Sequence, residues 1–462
     1  MDTPRAGRQT RTLREYRRGF YDCLTGWGDA LFELADATLC TPGPIGSVPA
    51  LSTQPIFRRS HGSLYKSLAI GGVDTEAVRD LQVRHRPVEW PLVFAVDTSS
   101  WPRCDAETSP GRGFYHHPSR HSAGKPIVAG WNYSWIAQLN FSRDSWTAPV
   151  DVERIPPREH TGRATAKQVA NLVRRLHLPD AAGDPVPIFA FDAGYDPIGL
   201  SVDLADVRAQ LVVRIRDDRV FYADPPARPN RPPQTGGRPP RHGAAFRCAD
   251  PTSWPTPDLT HVTDDPRYGR IHITAWSGLH PKLSRHGRWA EHDQPPIVTG
   301  TAIRVEVEHL PKPTGNGRTK KTLWLWWSGP PGTTPDLDLG ARAYIHRFDI
   351  EHTLRFVKNT LGWTTPMLRT PEQADRWSWL IVTGYTQLRL ARGLIADQRL
   401  PWERPREPTK LTPNRVRRGF AALIATIGTP ASPPKSNTAG PGRPKGTHRP
   451  PRTRHPAIKK AA

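Results

Sequence analysis

Cysteine, acidic residues and long apolar runs are all scarce in this 462-residue chain. Its four cysteines, Cys23, Cys40, Cys104 and Cys248, show neither C-x-x-C spacing nor a paired histidine pattern. That sets aside a disulfide framework and a zinc site in favour of buried, reduced thiols. No run approaches the roughly 18 apolar residues of a membrane span, and the opening "MDTPRAGRQTRTLREYRRGF" lacks the apolar core of a signal peptide. The chain is therefore expected in the cytosol, with no membrane partner. No internal repeat is evident. Acids number 43 against 65 lysines and arginines, a formal charge of +22. Such an excess points to a polyanionic partner, most often nucleic acid. The length is too great for one compact core and sufficient for two or three domains.

Periodicity divides the chain. In residues 12–40, Tyr16, Phe20, Leu24, Trp27, Leu31 and Leu34 recur at helical spacing, and a second helical pattern covers 62–84. Residues 1–88 therefore read as an N-terminal helical domain, a candidate for DNA binding. From residue 91 the texture changes. "PLVFAVD" is an apolar run ending in Asp97, and "PIFAFD" repeats the pattern and ends in Asp192. Between them lie the strand-like "GWNYSWIAQLNF" and "WTAPVDVERI" and the helical "TAKQVANLVRRLHL"; "QLVVRIRDDRVFY" follows as one more strand. Continuous apolar strands are those buried on both faces. The fold class is α/β, a mixed sheet flanked by helices, with 89–222 as the first part of the core. Residues 223–335 read as a β-rich insertion that begins with a Pro/Arg-rich segment, and 336–402 as the second part of the core. Residues 403–462 read as a basic, mostly disordered tail with one short helix allowed at 414–426.

The chemistry concentrates in "YIHRFDIEHTLRFVK", residues 344–358. Ile350, Leu354, Val357 and Leu361 make one apolar stripe of a helix. On one continuous helix, Tyr344, Arg347, Glu351 and Lys358 fall within roughly 60° of arc beside that stripe. An acid and two cations thus line the edge where the helix meets its packing partner. A strand-terminal aspartate by itself is more often a turn or cap residue than a ligand. Two apolar strands that both end in aspartate, followed by this helix edge, are a different matter. Functional groups of open α/β sheets gather where strands end. Three converging carboxylates, Asp97, Asp192 and Glu351, would suit two Mg²⁺ ions, with Mn²⁺ able to substitute. Two such ions about 3.5–4 Å apart activate water and stabilise the leaving oxygen of a phosphodiester.

The spacing Y-x2-R-x3-E-x6-K, met by Tyr344, Arg347, Glu351 and Lys358, resembles the Y-R-E-K signature of bacterial insertion-sequence DDE transposases. "FAVDTSSW" and "FAFDAGYD" look like the first two aspartate motifs of the same group. The resemblance covers roughly residues 90–400 and implies a ribonuclease-H-like catalytic core interrupted by a β-strand insertion. It implies metal-dependent cleavage of double-stranded DNA at element ends, then attack by the freed 3′-hydroxyl on the opposite strand or on target DNA. Pairing two ends implies a homodimer, and DNA binding implies association with the nucleoid. Tyr344, Arg347 and Lys358 would contact DNA. The family also stacks an insertion tryptophan on an extruded base. In "TLWLWWS", Trp324 and Trp326 share one strand face and are the candidates, with core packing as the alternative. The tail resembles a minor-groove AT-hook around Gly442, Arg443 and Pro444, against a basic tail adding only nonspecific affinity. His116, His117 and His121 fit no zinc spacing and read as a solvated loop. A ribonuclease-H-like nuclease that only hydrolyses, or a non-catalytic DNA-binding protein, are the competing functions.

Overall fold

The computed structural model describes residues 3–117, 125–179, 181, 183–225, 240–310, 322–435, 444, 446 and 451–459. Four helices come first: α1 (Thr3–Asp22), α2 (Gly28–Cys40), α3 (His61–Ile70) and α4 (Thr75–Arg84). The pattern expected to run unbroken over 62–84 divides between α3 and α4, because the chain there meets another backbone. Gly72 donates its N–H to the Gly26 carbonyl at 2.9 Å, and a Cβ on Gly72 would fall 3.0 Å from the Gly26 nitrogen.

The central elements follow in the order β1 (Val93–Pro102), β2 (Gly113–His116), β3 (Ile127–Leu139), β4 (Thr147–Ile155), α5 (Thr161–Leu176), β5 (Ile188–Phe191), α6 (Pro197–Asp203) and β6 (Gln210–Ile215). Strand β3 is antiparallel to β1, whereas β1, β5 and β6 run parallel. "QLVVRIRDDRVFY" is not one strand: it turns after β6 and resumes as β7 (Val220–Tyr222), which pairs with β8 (Ala245–Arg247) in a separate small sheet. Strands β9 (Leu259–Asp265), β10 (Gly269–Leu279), β11 (Gly300–Val307) and β12 (Thr322–Ser328) do not stand apart. Strand β12 pairs with β6, so the four extend the main sheet in the order β6-β12-β11-β10-β9. Helices α7 (Leu337–Ile345), α8 (Asp349–Asn359) and α9 (Pro371–Ala391) return across the sheet. The architecture is thus a large mixed sheet flanked by helices, consistent with a ribonuclease-H-like core.

Alternation along the strands sorts the interior. Val93, Ala95, Ile188 and Ala190 join one apolar cluster, which includes residues of α7, α8 and α9. Phe94, Val96, Phe189 and Phe191 join the other, under α5 and α6. The two-residue period therefore puts Asp97 and Asp192 on the α7–α8 side. The N-terminal helices share the first cluster, since α1 and α2 pack on α9. A fully buried Arg17–Asp36 pair at 2.7 Å, with Arg17 also donating to Gln387 at 2.6 Å, ties these three helices together.

The short helix allowed at 414–426 is present as two. Helices α10 (Pro413–Arg418) and α11 (Phe420–Ile427) fold back, and Arg417 donates to the Thr38 carbonyl at the end of α2. Farther on, Ile458 bridges in parallel to Gly113 of β2. Gly442 and Arg443, the centre of the AT-hook-like motif, lie outside the described residues, as does His121.

Candidate active site

Register brings the two aspartates together. Val93 pairs with Ile188, Phe94 with Phe189 and Ala95 with Ala190 in the parallel β1–β5 ladder. Continued two residues further, the same register sets Asp192 beside Asp97. Strand β5 ends at Phe191 whereas β1 runs on to Pro102; past the ladder Asp97 accepts the Thr98 N–H at 2.8 Å and Asp192 accepts the Gly194 N–H at 2.9 Å. Both open onto one polar cleft of about 980 Å³, walled by Tyr115, His116 and His117 on one side and by His160 and Thr161 at the start of α5 on another. Lys358 and Asn359 close it. His116 and His117, read from sequence as a solvated loop, thus line the cleft.

The third carboxylate arrives on a helix that differs from the expected one. Residues 344–358 form no single helix; the chain bends at His346–Phe348, between α7 and α8. In a continuous helix the Ile345 carbonyl would accept the Asp349 N–H. Here it accepts the Tyr268 hydroxyl at 2.9 Å, and the Asp349 N–H turns to the His346 carbonyl at 3.0 Å. The bend is held from the sheet extension, by the turn between β9 and β10. Asp265 receives His346 Nε2 at 2.9 Å, and Arg267 grips both oxygens of the fully buried Asp349 at 2.8 and 2.7 Å. Arg267 also donates to the carbonyls of Ser142 and Asp144, in the β3–β4 turn. These residues were not singled out from sequence. The available signal was His346 and Asp349, two polar groups interrupting the apolar side of the helix.

Consequently Tyr344 closes α7, Arg347 sits in the bend, and Glu351 and Lys358 ride on α8. Arg347 is only 8% exposed and lies between the acids. Its Nη2 donates to Glu351 at 3.0 Å, and its Nη1 is 3.7 Å from Asp97 with no hydrogen bond of its own. Its guanidinium also faces the Tyr344 ring, as does that of Arg214, each at 5.9 Å. Burial pushes the Asp97 carboxyl up to about 6; Arg347 pulls it back, while the charges of Asp192 and Glu351 add to the rise. Burial also draws the Lys358 ammonium down, against the pull of Asp97. The three sequence-derived acids therefore share one electrostatic site, with Arg347 and Lys358 beside them.

Trp324 and Trp326 do not join it. At 4% and 0% exposure they pack with Phe221, Phe246, Trp254 and Trp276 on one face of the sheet extension. Trp326 stacks on Phe221, and its indole N–H donates to Ser201 at 3.1 Å. Their shared strand face holds as read, with Trp327 in the opposite cluster. That face, however, is interior, because helix α6 and the β7–β8 hairpin cover it.

The model of the DDE superfamily endonucleases matches residues 19–282. The chain belongs to this family. The matched segment runs from α1 through β10 and includes both Asp97 and Asp192. It ends before Glu351, so the third acid rests on the geometry alone. No curated protein matches the chain.

DDE-type endonucleases act on DNA and generally use divalent metal ions. Among the described residues, no three His, Cys, Asp or Glu side chains are grouped closely enough to hold an ion as they stand. The donor chemistry nevertheless fits one. Two hard carboxylates share the cleft, and the ionisation of Asp97 is opposed by two further acids, a repulsion that a divalent cation relieves. Arg347 now supplies the positive charge between Asp97 and Glu351. Among the described residues no helix is long and apolar enough to cross a membrane.

Proposed function

We propose that this DDE endonuclease is a transposase that cleaves the ends of its own insertion sequence and joins them to target DNA. The observation that carries the reading is the β1–β5 register, which sets Asp97 beside Asp192 on the face from which Glu351 approaches. In this reading Asp97, Asp192 and Glu351 hold two Mg²⁺ ions, which when bound supply Lewis-acid stabilisation of the phosphodiester oxygens. Arg347 offsets part of the charge of the acid cluster and holds Glu351 through its Nη2. Lys358, in the cleft wall, takes a phosphate of the bound strand, and Tyr344 orders Arg347 and Arg214 through its ring. Water is the first nucleophile and frees a 3′-hydroxyl; that hydroxyl then attacks a second phosphodiester in line, and no covalent protein–DNA intermediate forms. Two ends are processed together by two copies of the chain.

The test uses a labelled duplex carrying the inverted repeat that flanks the gene. The wild-type protein with Mg²⁺ is expected to nick the end and then to produce joined molecules with a second DNA. Asp97→Asn, Asp192→Asn and Glu351→Gln should each abolish nicking while leaving DNA affinity within about twofold, because none touches the basic surface. Nicking without joined products would make the protein a purely hydrolytic nuclease. Loss of DNA binding in parallel with nicking would assign the three acids a structural role.

A further inference from the structure

The segment Pro451–Lys459 should, by its composition, have no fixed place. Yet its backbone is docked. His455 donates its N–H to the Glu107 carbonyl at 2.7 Å, and Ile458 donates to the Arg112 carbonyl at 2.7 Å. The guanidinium of Arg112, 4% exposed, returns a hydrogen bond to the His455 carbonyl at 2.6 Å while its other nitrogens hold the carbonyls of Ser109 and Arg103. The segment thus adds to the open edge of β2, outside β3. Proline is tolerated on an edge because its missing donor can face away from the ladder. Here Pro456 lies between the two residues that donate.

The direction of docking is informative. Ile458 lies parallel to Gly113, so the docked segment runs the way β2 does, towards Tyr115 and His116 in the cleft wall. Lys459 follows on that side, and Arg452 and Arg454 precede it; all three are exposed. Arg454 meets Glu107 at 3.5 Å with both side chains largely exposed, a contact too weak to hold its charge back. Lys459 is therefore set at the end nearest the cleft wall, with Arg454 and Arg452 behind it beside Glu107, on a backbone held by hydrogen bonds that do not use these side chains.

We propose that the docked segment Arg452–Lys459 is a phosphate-binding rail, which guides double-stranded DNA along the β2 edge into the Asp97–Asp192 cleft. This rests on the reading of the protein as a DNA-cleaving enzyme. A free basic tail gives affinity without position; a docked one places its charges where the strand must enter.

Two full-length variants separate position from charge. His455→Pro/Ile458→Pro removes both backbone donors and keeps every cation. Arg452→Ala/Arg454→Ala/Lys459→Ala removes the cations and keeps both donors. Hydrogen–deuterium exchange at the His455 and Ile458 amides of the wild type and the alanine variant reports docking without DNA, and binding of a duplex from 50 to 200 mM salt reports the rail. The expected result is slowed exchange at both amides in the wild type and in the alanine variant. Both variants should show weaker DNA binding, with a salt slope reduced by about 0.9 per lost phosphate contact, up to three contacts. Unchanged affinity in the proline variant, with weakening in the alanine variant, would make the tail a free polycation and overturn the rail. Tighter binding in the proline variant would make the tail a competitor for DNA and overturn it equally. Exchange of these two amides at the rate of an unstructured chain would refute the docking itself. If no variant, nor the wild type, binds DNA, the DNA reading fails, while the exchange result still stands as a test of docking.

Discussion

Replacing Arg267 with Met tests whether the sheet extension holds the bend that presents Arg347 and Glu351. Met keeps much of the length of the aliphatic stem and loses the guanidinium. Asp349 is then left as a fully buried carboxylate without its two-point partner, and the carbonyls of Ser142 and Asp144 lose a shared donor. Breaking a buried ion pair from one side costs roughly 3–5 kcal/mol. Arg267 is partly exposed, which favours the lower end, and the abandoned carbonyls add on the order of 1 kcal/mol. The net expectation is about 4 kcal/mol. Asp349→Asn in the same background removes the stranded charge and should recover about 2 kcal/mol, a coupling that two independent sites would not show. Urea unfolding of the two single variants and the double variant measures this, and hydrogen exchange over Ile350–Val357 shows whether the loss begins at α8. A cost within about 0.5 kcal/mol for Arg267→Met, typical of an ordinary surface position, would refute the clamp. So would simple additivity with Asp349→Asn.

The same bend should respond to pH. Burial disfavours the His346 cation, but its hydrogen bond to Asp265 and the Asp349 carboxylate 3.6 Å from its Nδ1 outweigh that and raise it above its ordinary value. A raised histidine contributes stability that is complete below about pH 6.5 and fades as pH rises through the folded-state value. Asp265 is held low, chiefly by His346 and by backbone N–H groups acting against its burial. Its share is present above about pH 4 and lost on further acidification. His346→Gln should therefore flatten the decline of unfolding free energy above about pH 6.5, and an unaltered decline would exclude His346 as its source. At the cleft, Lys358→Ala should lower the salt slope of end binding by about one unit. Arg347→Ala should leave the slope unchanged and abolish nicking, since Arg347 meets carboxylates and not solvent; equal slopes for the two variants would contradict this division. Trp326→Ala should cost about 3–5 kcal/mol in urea unfolding and leave the ratio of first- to second-strand cleavage unaltered. A changed ratio at wild-type stability would return that tryptophan to the DNA.

Much of the catalytic sheet was legible because its signals are local. "LVFAV" and "PIFAF" are short apolar runs, and alternation alone decides which face each residue covers once they pair. Asp97 and Asp192 needed only the register to meet, and neighbouring parallel strands of similar length offer few registers. Trp324 and Trp326 show the limit of that reasoning. Alternation correctly put them on one face. Which face is covered depends on α6 and on the β7–β8 hairpin, elements that approach from more than 70 residues away in sequence.

The bend at 346–348 was illegible for a deeper reason. Nothing between Tyr344 and Lys358 breaks a helix: there is no glycine and no proline, and the apolar spacing favours continuity. The break is imposed by Tyr268, Arg267 and Asp265, which compete for the Ile345 carbonyl and for the side chains of Asp349 and His346. A continuous helix would satisfy that carbonyl equally well. It would leave Asp349 buried without Arg267, and a stranded interior charge costs more than one redirected backbone bond. The spacing of Tyr344, Arg347, Glu351 and Lys358 therefore marks a helix–turn–helix corner, not one continuous helical edge. In such a corner Arg347 can lie beneath the carboxylates while Lys358 faces the cleft, two roles that a single edge would have made alike. Residues 223–335, where Trp324 and Trp326 were candidates for stacking on a base, thus act first on the position of Glu351.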